Sequence, residues 1–439
     1  MRFLVECTYV FEHPDDNSGI QRVVRNIINH LDGSTAIPVM FNNGELFKVK
    51  RLKPAKQSDL LDRSVLYWKN KHAGLWRLNA HLNTKKPLSL SHKFRLVSHA
   101  CFLFISLWFK LVIFLLDRLN QYAQIRKSQI EPIDPRKGDV LLLLDSSWHS
   151  DFFKDVEALK KKGIPVISVI YDLIPLTHPQ FCDENLVKVF QQWFDWISHT
   201  ADGFMCISKA TASDVTHFNS IQNAELKSSQ WIDHFYLGYE LDLASDNSLI
   251  HASLEEAFSP PRPTYLMVST IEPRKNHAYL LDAFEKLWAN GHDLALCIVG
   301  KIGWKVDDLI ERIEQHPEYG QRLFMFNKLN DSELQICYQN ARALIFPSFT
   351  EGFGLPLIEA LSKNLPVLAS DIPVFQEIGG GFVEHFNLSN PDDLMDKVLE
   401  FEKLTDKEIS EKVNDWQWIN WEQSARQLLD KTRSHLEND

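Results

Sequence analysis

Short apolar runs alternate with amphipathic segments along most of the chain. Continuous apolar runs, such as residues 139–147 and 264–270, are typical of strands buried on both faces of a parallel sheet. Segments such as 184–201 and 277–291 repeat apolar residues every three or four positions, which predicts helices with one buried face. This alternation of strand and helix predicts an α/β fold built on parallel sheets.

The alternation stops at one polar segment. Residues 240–263 end in Ser-Pro-Pro-Arg-Pro, and these prolines fit neither a helix interior nor a sheet interior. Because 439 residues exceed the size of one ordinary core, we predict an N-terminal domain at 1–240, a linker at 241–262 and a C-terminal domain at 263–439. Two doubly wound, Rossmann-like domains of this kind are expected to face each other across a cleft. The last helix either stays in the C-terminal domain or crosses back onto the first one.

The composition limits the cellular compartments and the binding partners that the protein can have. Six cysteines are scattered without any Cys-x-x-Cys pair, which favours a reducing compartment and predicts no zinc site. The N-terminus has only a short apolar run before its first acidic residues, so it does not resemble a signal peptide. The net charge of −11 disfavours nucleic-acid binding, although the basic segment described next would tolerate it.

A basic insert occupies residues 48–137 of the N-terminal domain. It contains 19 Lys and Arg against 5 Asp and Glu, a net charge of +14. Within it, residues 96–116 are apolar apart from a few interruptions such as Ser106 and Lys110. Three interpretations stay open: helices packed in the core, a helix lying in the plane of a membrane surface, or a helix that spans the bilayer. A spanning helix would put two halves of one domain on opposite sides of the membrane.

A loop in the C-terminal domain carries the first candidate site. The stretch "FPSFTEGFGLPLIEAL" (346–361) ends a predicted strand and starts a helix. Ligands of open α/β sheets bind at such junctions. There, Gly352 and Gly354 let the backbone approach closely, and helix amides favour an anion such as a diphosphate. Glu351 and Glu359 add carboxylates that accept hydrogen bonds from sugar hydroxyls. The alternative is that Glu351 is solvated and that Glu359, in the first helical turn, complements the helix dipole.

A second loop follows the first strand of the C-terminal domain. It reads "STIEPRKNH" (269–277) and places Arg274 and Lys275 directly before a helix. Two adjacent cations at this point would neutralise a diphosphate leaving group; the alternative is an exposed, solvated charge pair. Both loops follow strands of the same predicted sheet, so they are expected on one edge of that sheet, where they could share one anion.

At this point the residues resemble a known family. The pattern Glu351-x7-Glu359 in "EGFGLPLIEAL", with "TIEPRKNH" upstream, resembles the retaining nucleotide-sugar glycosyltransferases of family four, which have the GT-B fold. "SGIQRV" is similar to their N-terminal glycine loop. "VIYDLIPLTHP" with "CISKAT" resembles the bacterial mannosyltransferase-like branch that builds O-antigen and capsule polysaccharides. The resemblance extends over nearly the whole chain except the basic insert.

The resemblance implies how the donor sugar and nucleoside are held. Glu351 would contact hydroxyls of the donor sugar, and Glu359 would bind the ribose. The backbone amides of Phe353, Gly354 and Leu355 would bind sugar and phosphate.

The resemblance also implies how the diphosphate is held. Arg274 and Lys275 would bind it and stabilise it as it leaves. Gly19 would let a loop of the N-terminal domain approach the same group. No metal would be required, because the cations and the helix amides replace it, and no Asp-x-Asp motif in the sequence serves as a metal clamp.

One position departs from the family. Many members have a His-Asp pair where this chain has Tyr171-Asp172. The reference pKa of tyrosine, about 10, rules out the same proton chemistry near neutral pH. Asp172, His178 or His149 would act in its place, or the departing phosphate would take the acceptor proton. A lone histidine is more often structural than catalytic.

Together these features predict an enzyme that moves a hexose, mannose or a related sugar, from a nucleoside-diphosphate sugar to a lipid-linked or growing cell-surface polysaccharide. GDP-mannose is the favoured donor, and no cofactor is expected. The enzyme is expected in the cytoplasm, peripheral at the inner face of the plasma membrane, with a polysaccharide-assembly complex as a candidate partner. The alternatives are a non-catalytic nucleotide- or glycan-binding subunit and an epimerase or phosphorylase of the same fold.

Overall fold

The structure is a computed structural model of the chain. It describes residues 1–14, 16, 19–52, 92–126, 129–221, 230–240, 252–258, 262–327 and 329–437, and a few positions between 64 and 75. Side chains at 92–101 and at several positions between 117 and 128 lie outside that description. The chain divides into two compact units: residues 1–28 with 32–164, and residues 29–31 with 165–439.

The first unit is built around the N-terminal strand. Its strands are β1 (Arg2–Glu6), β2 (Ala36–Asn42), β3 (Glu45–Val49), β4 (Ile130–Pro132) and β5 (Asp139–Leu143). Its helices are α1 (Thr8–Glu12), α2 (Gly19–Asn29), α3 (His92–Arg126) and α4 (Phe153–Lys161). Strands β2 and β5 flank β1 in parallel, and their side chains are mostly buried, as the continuous apolar runs predict.

The basic insert leaves and re-enters the sheet at two antiparallel strands. β3 pairs with β2 and β4 pairs with β3, so that Val49 lies opposite Ile130. The apolar stretch of the insert falls within the single long helix α3. In the described part of the chain, no helix combines the length and the apolar character that crossing a bilayer would require.

The second unit begins with the parallel strands β6 (Val166–Ile170), β7 (Gly203–Cys206) and β8 (Trp231–His234). The helices that belong to them are α5 (Ile174–Thr177), α6 (Glu184–Thr200) and α7 (Lys209–Ile221). The predicted linker lies mostly outside the described residues, but its described part contains a short helix, α8 (Ala252–Ala257). The predicted domain boundary at residue 240 thus falls inside the second compact unit, and it stays a prediction.

The rest of the second unit forms a six-stranded parallel sheet. Its strands are β9 (Thr264–Val268), β10 (Ala295–Val299), β11 (Leu323–Phe326), β12 (Ala343–Phe346), β13 (Val367–Ser370) and β14 (Val383–Phe386). Their order is β11-β10-β9-β12-β13-β14, which is the doubly wound Rossmann order. The order of the strands reverses between the parallel neighbours β9 and β12, so the carboxyl ends of these two strands mark the point where such folds bind ligands.

Helices cover this sheet on both faces. They are α9 (His277–Ala289), α10 (Asp307–Glu314), α11 (Asp331–Asn340), α12 (Leu355–Ser362), α13 (Pro373–Gly379), α14 (Pro391–Phe401) and α15 (Asp406–Glu411). The last helix, α16 (Trp421–Glu437), contacts β8 instead, where Lys431 Nζ donates a hydrogen bond to Asp233 Oδ1 at 3.0 Å. The apolar residues that predict α9 are buried with the sheet in one core. Asn330 caps α11 through a reciprocal capping box with Glu333, as the sequence indicates. The prediction of alternating strands and helices is confirmed in both units.

Candidate active site

The two predicted loops meet at the switch point of the six-stranded sheet. The loop after β9 carries Arg274 and Lys275 in a short 3-10 turn, Pro273–Lys275. The loop after β12 carries Glu351. Because β9 and β12 are parallel neighbours, both loops lie on one edge of the sheet, as predicted.

Glu351 is the centre of this cluster. Its Oε2 atom accepts a hydrogen bond from Arg274 Nη1 at 2.6 Å. Its Oε1 atom accepts one from Lys275 Nζ and another from Ser348 Oγ, the latter at 2.8 Å. Only 7% of the Glu351 side chain is exposed. The alternative of a solvated Glu351 is therefore wrong.

The charges of the cluster decide its protonation state. Burial alone would raise the pKa of Glu351, but Arg274 and Lys275 outweigh it and lower that pKa to about 2. Burial lowers the pKa of Lys275, and the charge of Arg274 lowers it further, while Glu351 acts against both. Burial opposes the charge of Arg274, yet Glu351 and Glu272 raise its pKa above the ordinary value. The cluster is therefore a desolvated carboxylate held between cations.

Glu272 is a member of this cluster that the sequence analysis missed. Its Oε1 atom lies 2.8 Å from Arg274 Nε, and 3% of its side chain is exposed. Arg274 thus bridges two carboxylates, and it is not the exposed cation of the alternative interpretation. The sequence feature that could have identified it is the position of its carboxylate, two residues before Arg274 in "EPRK".

The loop that contains Gly352 and Gly354 contacts the segments that follow β6 and β7. The carbonyl oxygen of Gly352 accepts hydrogen bonds from Ser208 Oγ at 2.8 Å and Thr211 Oγ1 at 3.1 Å. A Cβ atom at position 352 would overlap the carbonyl oxygen of Tyr171, so this close approach requires glycine. Gly354 has a φ of 122°, which also favours glycine. These contacts bring Tyr171-Asp172 to the loop that carries Glu351.

Asp172 lies beside the charged cluster. Its Oδ1 atom accepts a hydrogen bond from the Ile174 amide at 3.0 Å. Burial raises its pKa above the ordinary value of aspartate, and the charge of Arg274 opposes the rise. His178 accepts or donates a hydrogen bond at Thr177 Oγ1, 2.9 Å from its Nδ1 atom. Asp172 is therefore a candidate base whose pKa is influenced by the charges of the cluster.

Glu359 lies deeper in the same junction. It is the fifth residue of α12, beyond the first turn, so the prediction that it sits in the first turn is wrong. It is 2% exposed, and its Oε2 atom accepts a hydrogen bond from Tyr338 Oη at 2.8 Å. Gly354 is the N-cap of α12, and Leu355 is its first residue. Phe353 is buried, with its ring centroid 6.2 Å from that of Trp418.

Gly19 and His149 belong to the first unit. Gly19 is the first residue of α2, and a Cβ atom there would have open space around it within the described residues. His149 Nε2 accepts a hydrogen bond from Trp148 Nε1 at 3.0 Å. Burial lowers the pKa of His149, and the charge of His13 lowers it further. The role of Gly19 toward a diphosphate stays a prediction.

A buried acid pair in the first unit was not predicted. Glu6 is the last residue of β1, and Asp145 follows the carboxyl end of the neighbouring strand β5; both are buried. The amides of Thr8 and Val10 donate to them, at 2.6 Å to Glu6 Oε1 and at 2.7 Å to Asp145 Oδ2. Burial raises the pKa of both carboxyls, and the charge of Asp145 raises that of Glu6 further. No sequence signal pairs two acids 139 residues apart.

Among the residues that the structure describes, no group of three or more His, Cys, Asp and Glu side chains is arranged to hold a metal ion. The cations of the cluster, Arg274 and Lys275, are paired with Glu351. The absence of a metal requirement stays a prediction.

Comparison with known proteins gives matches in sequence. Residues 253–416 match the family described as glycosyl transferases group 1. The serotype-specific mannosyltransferase WbdA of Escherichia coli is 36% identical over 305 residues, which cover 68% of this chain and 37% of WbdA. The O-antigen chain mannosyltransferase RfbU of Salmonella typhimurium is 33% identical over 133 residues, 29% of this chain and 35% of RfbU. The chain thus spans little more than a third of the length of these curated relatives.

Solved structures give matches in fold. Sucrose-phosphate synthase from Thermosynechococcus elongatus superimposes with a TM-score of 0.57 at 17% identity and covers 100% of both chains. Anabaena HepE in complex with UDP and glucose superimposes with a TM-score of 0.57 at 11% identity, over 99% of this chain and 100% of HepE. At these identities the likeness shows the fold alone, which is the GT-B fold expected from the sequence.

Proposed function

Residues 253–416 belong to the glycosyl transferases group 1 family, and from that premise we propose that this chain is a glycosyltransferase. It moves a hexose from a nucleoside-diphosphate sugar to a growing or lipid-linked cell-surface polysaccharide. The observation that carries the proposal is the cluster of Glu351, Arg274 and Lys275 at the switch point of the six-stranded sheet. Such a cluster combines acceptors for sugar hydroxyls with cations for a diphosphate.

In the proposed reaction, the acceptor hydroxyl attacks the anomeric carbon as the bond to the diphosphate breaks. Arg274 and Lys275 stabilise the negative charge that collects on the departing diphosphate. The acceptor proton goes to the departing phosphate or to Asp172, whose pKa is raised by burial. Attack on the face that the diphosphate leaves retains the configuration of the sugar. The reaction needs no metal, because the two cations supply the positive charge.

Mannose is the proposed sugar and GDP-mannose the proposed donor. The support is the function of two relatives, WbdA and RfbU, which are mannosyltransferases. Glu351 would contact hydroxyls of the sugar, and Glu359 would bind the ribose while Tyr338 holds one of its oxygens. The amides of Phe353, Gly354 and Leu355 would bind sugar and phosphate at the start of α12.

The enzyme is proposed to work in the cytoplasm at the inner face of the plasma membrane, where a polysaccharide-assembly complex is a candidate partner. The support is one face of α3. Six large apolar side chains that lie on one side of the helix are exposed there: Phe104, Leu107, Trp108, Leu111, Leu115 and Leu119. The opposite face of α3 is packed, since Phe102 and Ser106 are buried. An exposed apolar stripe in a segment of net charge +14 suits the surface of an anionic bilayer.

The experiment that tests the transferase proposal is a binding and transfer assay on the purified chain. GDP, UDP, dTDP and ADP are first compared by thermal shift, because a ligand that binds only the folded state raises the melting temperature. Labelled sugar donors of the preferred base are then incubated with a lipid-linked mannose acceptor, with and without EDTA. Transfer that persists in EDTA and gives a product of retained anomeric configuration is the expected result.

The alternatives predict different results in the same assay. A non-catalytic subunit would bind the nucleotide without releasing labelled sugar to water or acceptor. An epimerase would change the sugar of the donor without an acceptor. A phosphorylase would carry a pyridoxal imine on a lysine, which an absorbance scan detects. Any of these outcomes would replace the proposed transfer.

A further inference from the structure

The N-terminus of α9 carries hydrogen-bonding groups without partners. Asn276 is its N-cap and adopts the left-handed conformation, with φ 60° and ψ 40°, and its side chain makes no capping hydrogen bond. Asn276 is only 9% exposed, and its buried Nδ2 atom has no hydrogen-bond partner among the residues that the structure describes. His277 Nδ1 is buried and unpartnered as well. Two polar atoms are thus desolvated at one helix end.

This arrangement is unfavourable for the chain by itself. A buried donor without an acceptor costs free energy, and folded proteins keep few of them. Glycine would adopt the left-handed conformation at position 276 without that cost. The Asn276 amide therefore has no evident structural use among the described residues, which points to a partner that this part of the chain does not supply.

The surroundings select the chemistry of that partner. Arg274 and Lys275 immediately precede Asn276, and Lys275 is 8% exposed. The first turn of α9 contains no acidic residue, so its amides and the positive end of the helix dipole are not neutralised from within that turn. His277 is neutral, because burial and the charge of Lys275 lower its pKa to about 3. An anion with several oxygen acceptors fits these groups, as a phosphoryl group does.

We propose that Asn276 binds the diphosphate of the nucleotide donor by donating from Nδ2 to a phosphoryl oxygen, next to Lys275. This inference rests on the proposed function, and it adds a residue to which that function assigns no role. Asn276 would thereby align the leaving group with the cation pair. It takes no part in proton transfer, because an amide neither gains nor loses a proton at these pH values.

The test compares two substitutions at this position. Asn276→Gly keeps the left-handed backbone and removes the amide, and Asn276→Asp keeps the shape but replaces the donor by a carboxylate oxygen. Asn364→Gly is the matched control, since Asn364 has nearly the same φ, 57°, and is exposed just after the C-terminal end of α12. Calorimetry measures the affinity for the nucleoside diphosphate that the wild type prefers and for inorganic pyrophosphate. Thermal melting without ligand measures stability.

The proposal makes a paired forecast. Asn276→Gly should melt within about 2 °C of the wild type or higher, because it removes an unpaired buried donor. It should bind both probes about ten- to a hundredfold more weakly, as expected for the loss of a hydrogen bond to a charged group. Asn276→Asp should bind more weakly still, because its carboxylate faces the anion. Asn364→Gly should change neither affinity.

Three results would overturn the inference. Asn276→Gly that binds both probes like the wild type would show that the amide does not contact the diphosphate, and the proposed transferase would stand. Asn276→Gly that melts clearly lower than the wild type with unchanged affinity would assign the amide to folding. A wild type that binds neither pyrophosphate nor any of the four nucleoside diphosphates would overturn both this inference and the proposed function.

Discussion

The carbonyl oxygen of Tyr171 occupies the space that a Cβ atom on Gly352 would need. The loop that carries Glu351 is thus pressed against the segment that carries Asp172. Ser208 and Thr211 hold it there by donating to the Gly352 carbonyl. Glycine at 352 is what allows these two parts of the candidate site to approach each other.

Gly352→Ala should therefore separate them. The added methyl group must displace the backbone at Tyr171 or at the loop, and such overpacking costs about 1–3 kcal/mol. We expect a lower melting temperature and at least a tenfold loss of transfer, because small displacements of reacting groups are costly. Gly381→Ala is the control: its Cβ meets open space and its φ is not positive. Equal activity of the two variants would mean that the contact does not position the site.

Arg274 and Lys275 should act mainly on turnover. Their effect on the donor grows as negative charge builds on the leaving diphosphate, so each alanine substitution should reduce kcat by about two to three orders of magnitude. Initial rates at several donor concentrations separate kcat from KM, and Lys403→Ala, at an exposed position of the same unit, serves as the control.

These two substitutions also have a cost in folding. Removing either cation leaves Glu351 buried with one fewer partner, and breaking a buried ion pair costs about 3–5 kcal/mol. Rates are therefore compared below the melting temperature of each variant. Normal kcat with a raised KM would mean that the cations only anchor the donor.

The sequence predicts the members of this cluster better than their contacts. Arg274, Lys275 and Glu351 could be found because each lies where an apolar run ends and a helix begins, and parallel strands bring such ends to one edge. The pairing of Glu351 with both cations could not be read from the chain, since the partners lie more than 70 residues apart. Glu272 could have been noticed because it precedes the two cations in the sequence. The sequence does not show, however, whether its side chain faces Arg274 or the solvent.

The insert shows a different limit. Its apolar run predicts a helix, and α3 confirms that. Which face would be exposed could not be predicted, because residues 102–116 are apolar on nearly every side of the helix apart from Ser106 and Lys110. Only the burial of Phe102 and Ser106 in the structure shows which side of the helix is packed and which is exposed.

Glu6 should make the stability of the first unit depend on pH. Its pKa is raised above the ordinary 4.5 by burial and by Asp145. The folded state therefore favours the protonated acid. The stability that Glu6 contributes is fully present below pH 4.5 and falls as the pH rises toward the folded pKa, by about 1.4 kcal/mol for each unit of pKa shift.

Glu6→Gln removes this titration. Relative to the wild type, the variant should gain stability steadily between pH 5 and pH 8, measured by chemical denaturation at intervals across that range. At pH 5 Glu6 is largely protonated, so that the acid and glutamine each carry one carbonyl acceptor, and the two proteins should differ least in stability there. Glu45→Gln, at an exposed position of the same unit, should show no such trend. A constant difference between variant and wild type at every pH would contradict the raised pKa.

The exposed face of α3 should bind an anionic bilayer. Phe104 is 73% exposed and Leu107 is 67% exposed, and the exposure of such apolar side chains to water is unfavourable in free energy. We expect the wild type to float with vesicles that contain phosphatidylglycerol, and to be released by high salt in part, because the attraction of the basic insert is screened while the apolar contact is not. Phe104→Glu with Leu107→Glu should stay at the bottom of the gradient, keep its nucleotide affinity, and lose activity on lipid-linked acceptor.

Gln339→Glu with Gln417→Glu is the matched control, since it adds the same two charges at exposed positions of the second unit. It should float like the wild type. If the α3 face were packed against protein, the double substitution on α3 would bury two unpaired charges and abolish the cooperative melt. If the face joined two copies of the chain, sedimentation would show a dimer that the substitution converts to a monomer. Either of these results, with a wild type that does not bind vesicles, would remove the membrane from the proposal, because a face that binds lipid must be exposed in a folded, monomeric protein before it meets the bilayer.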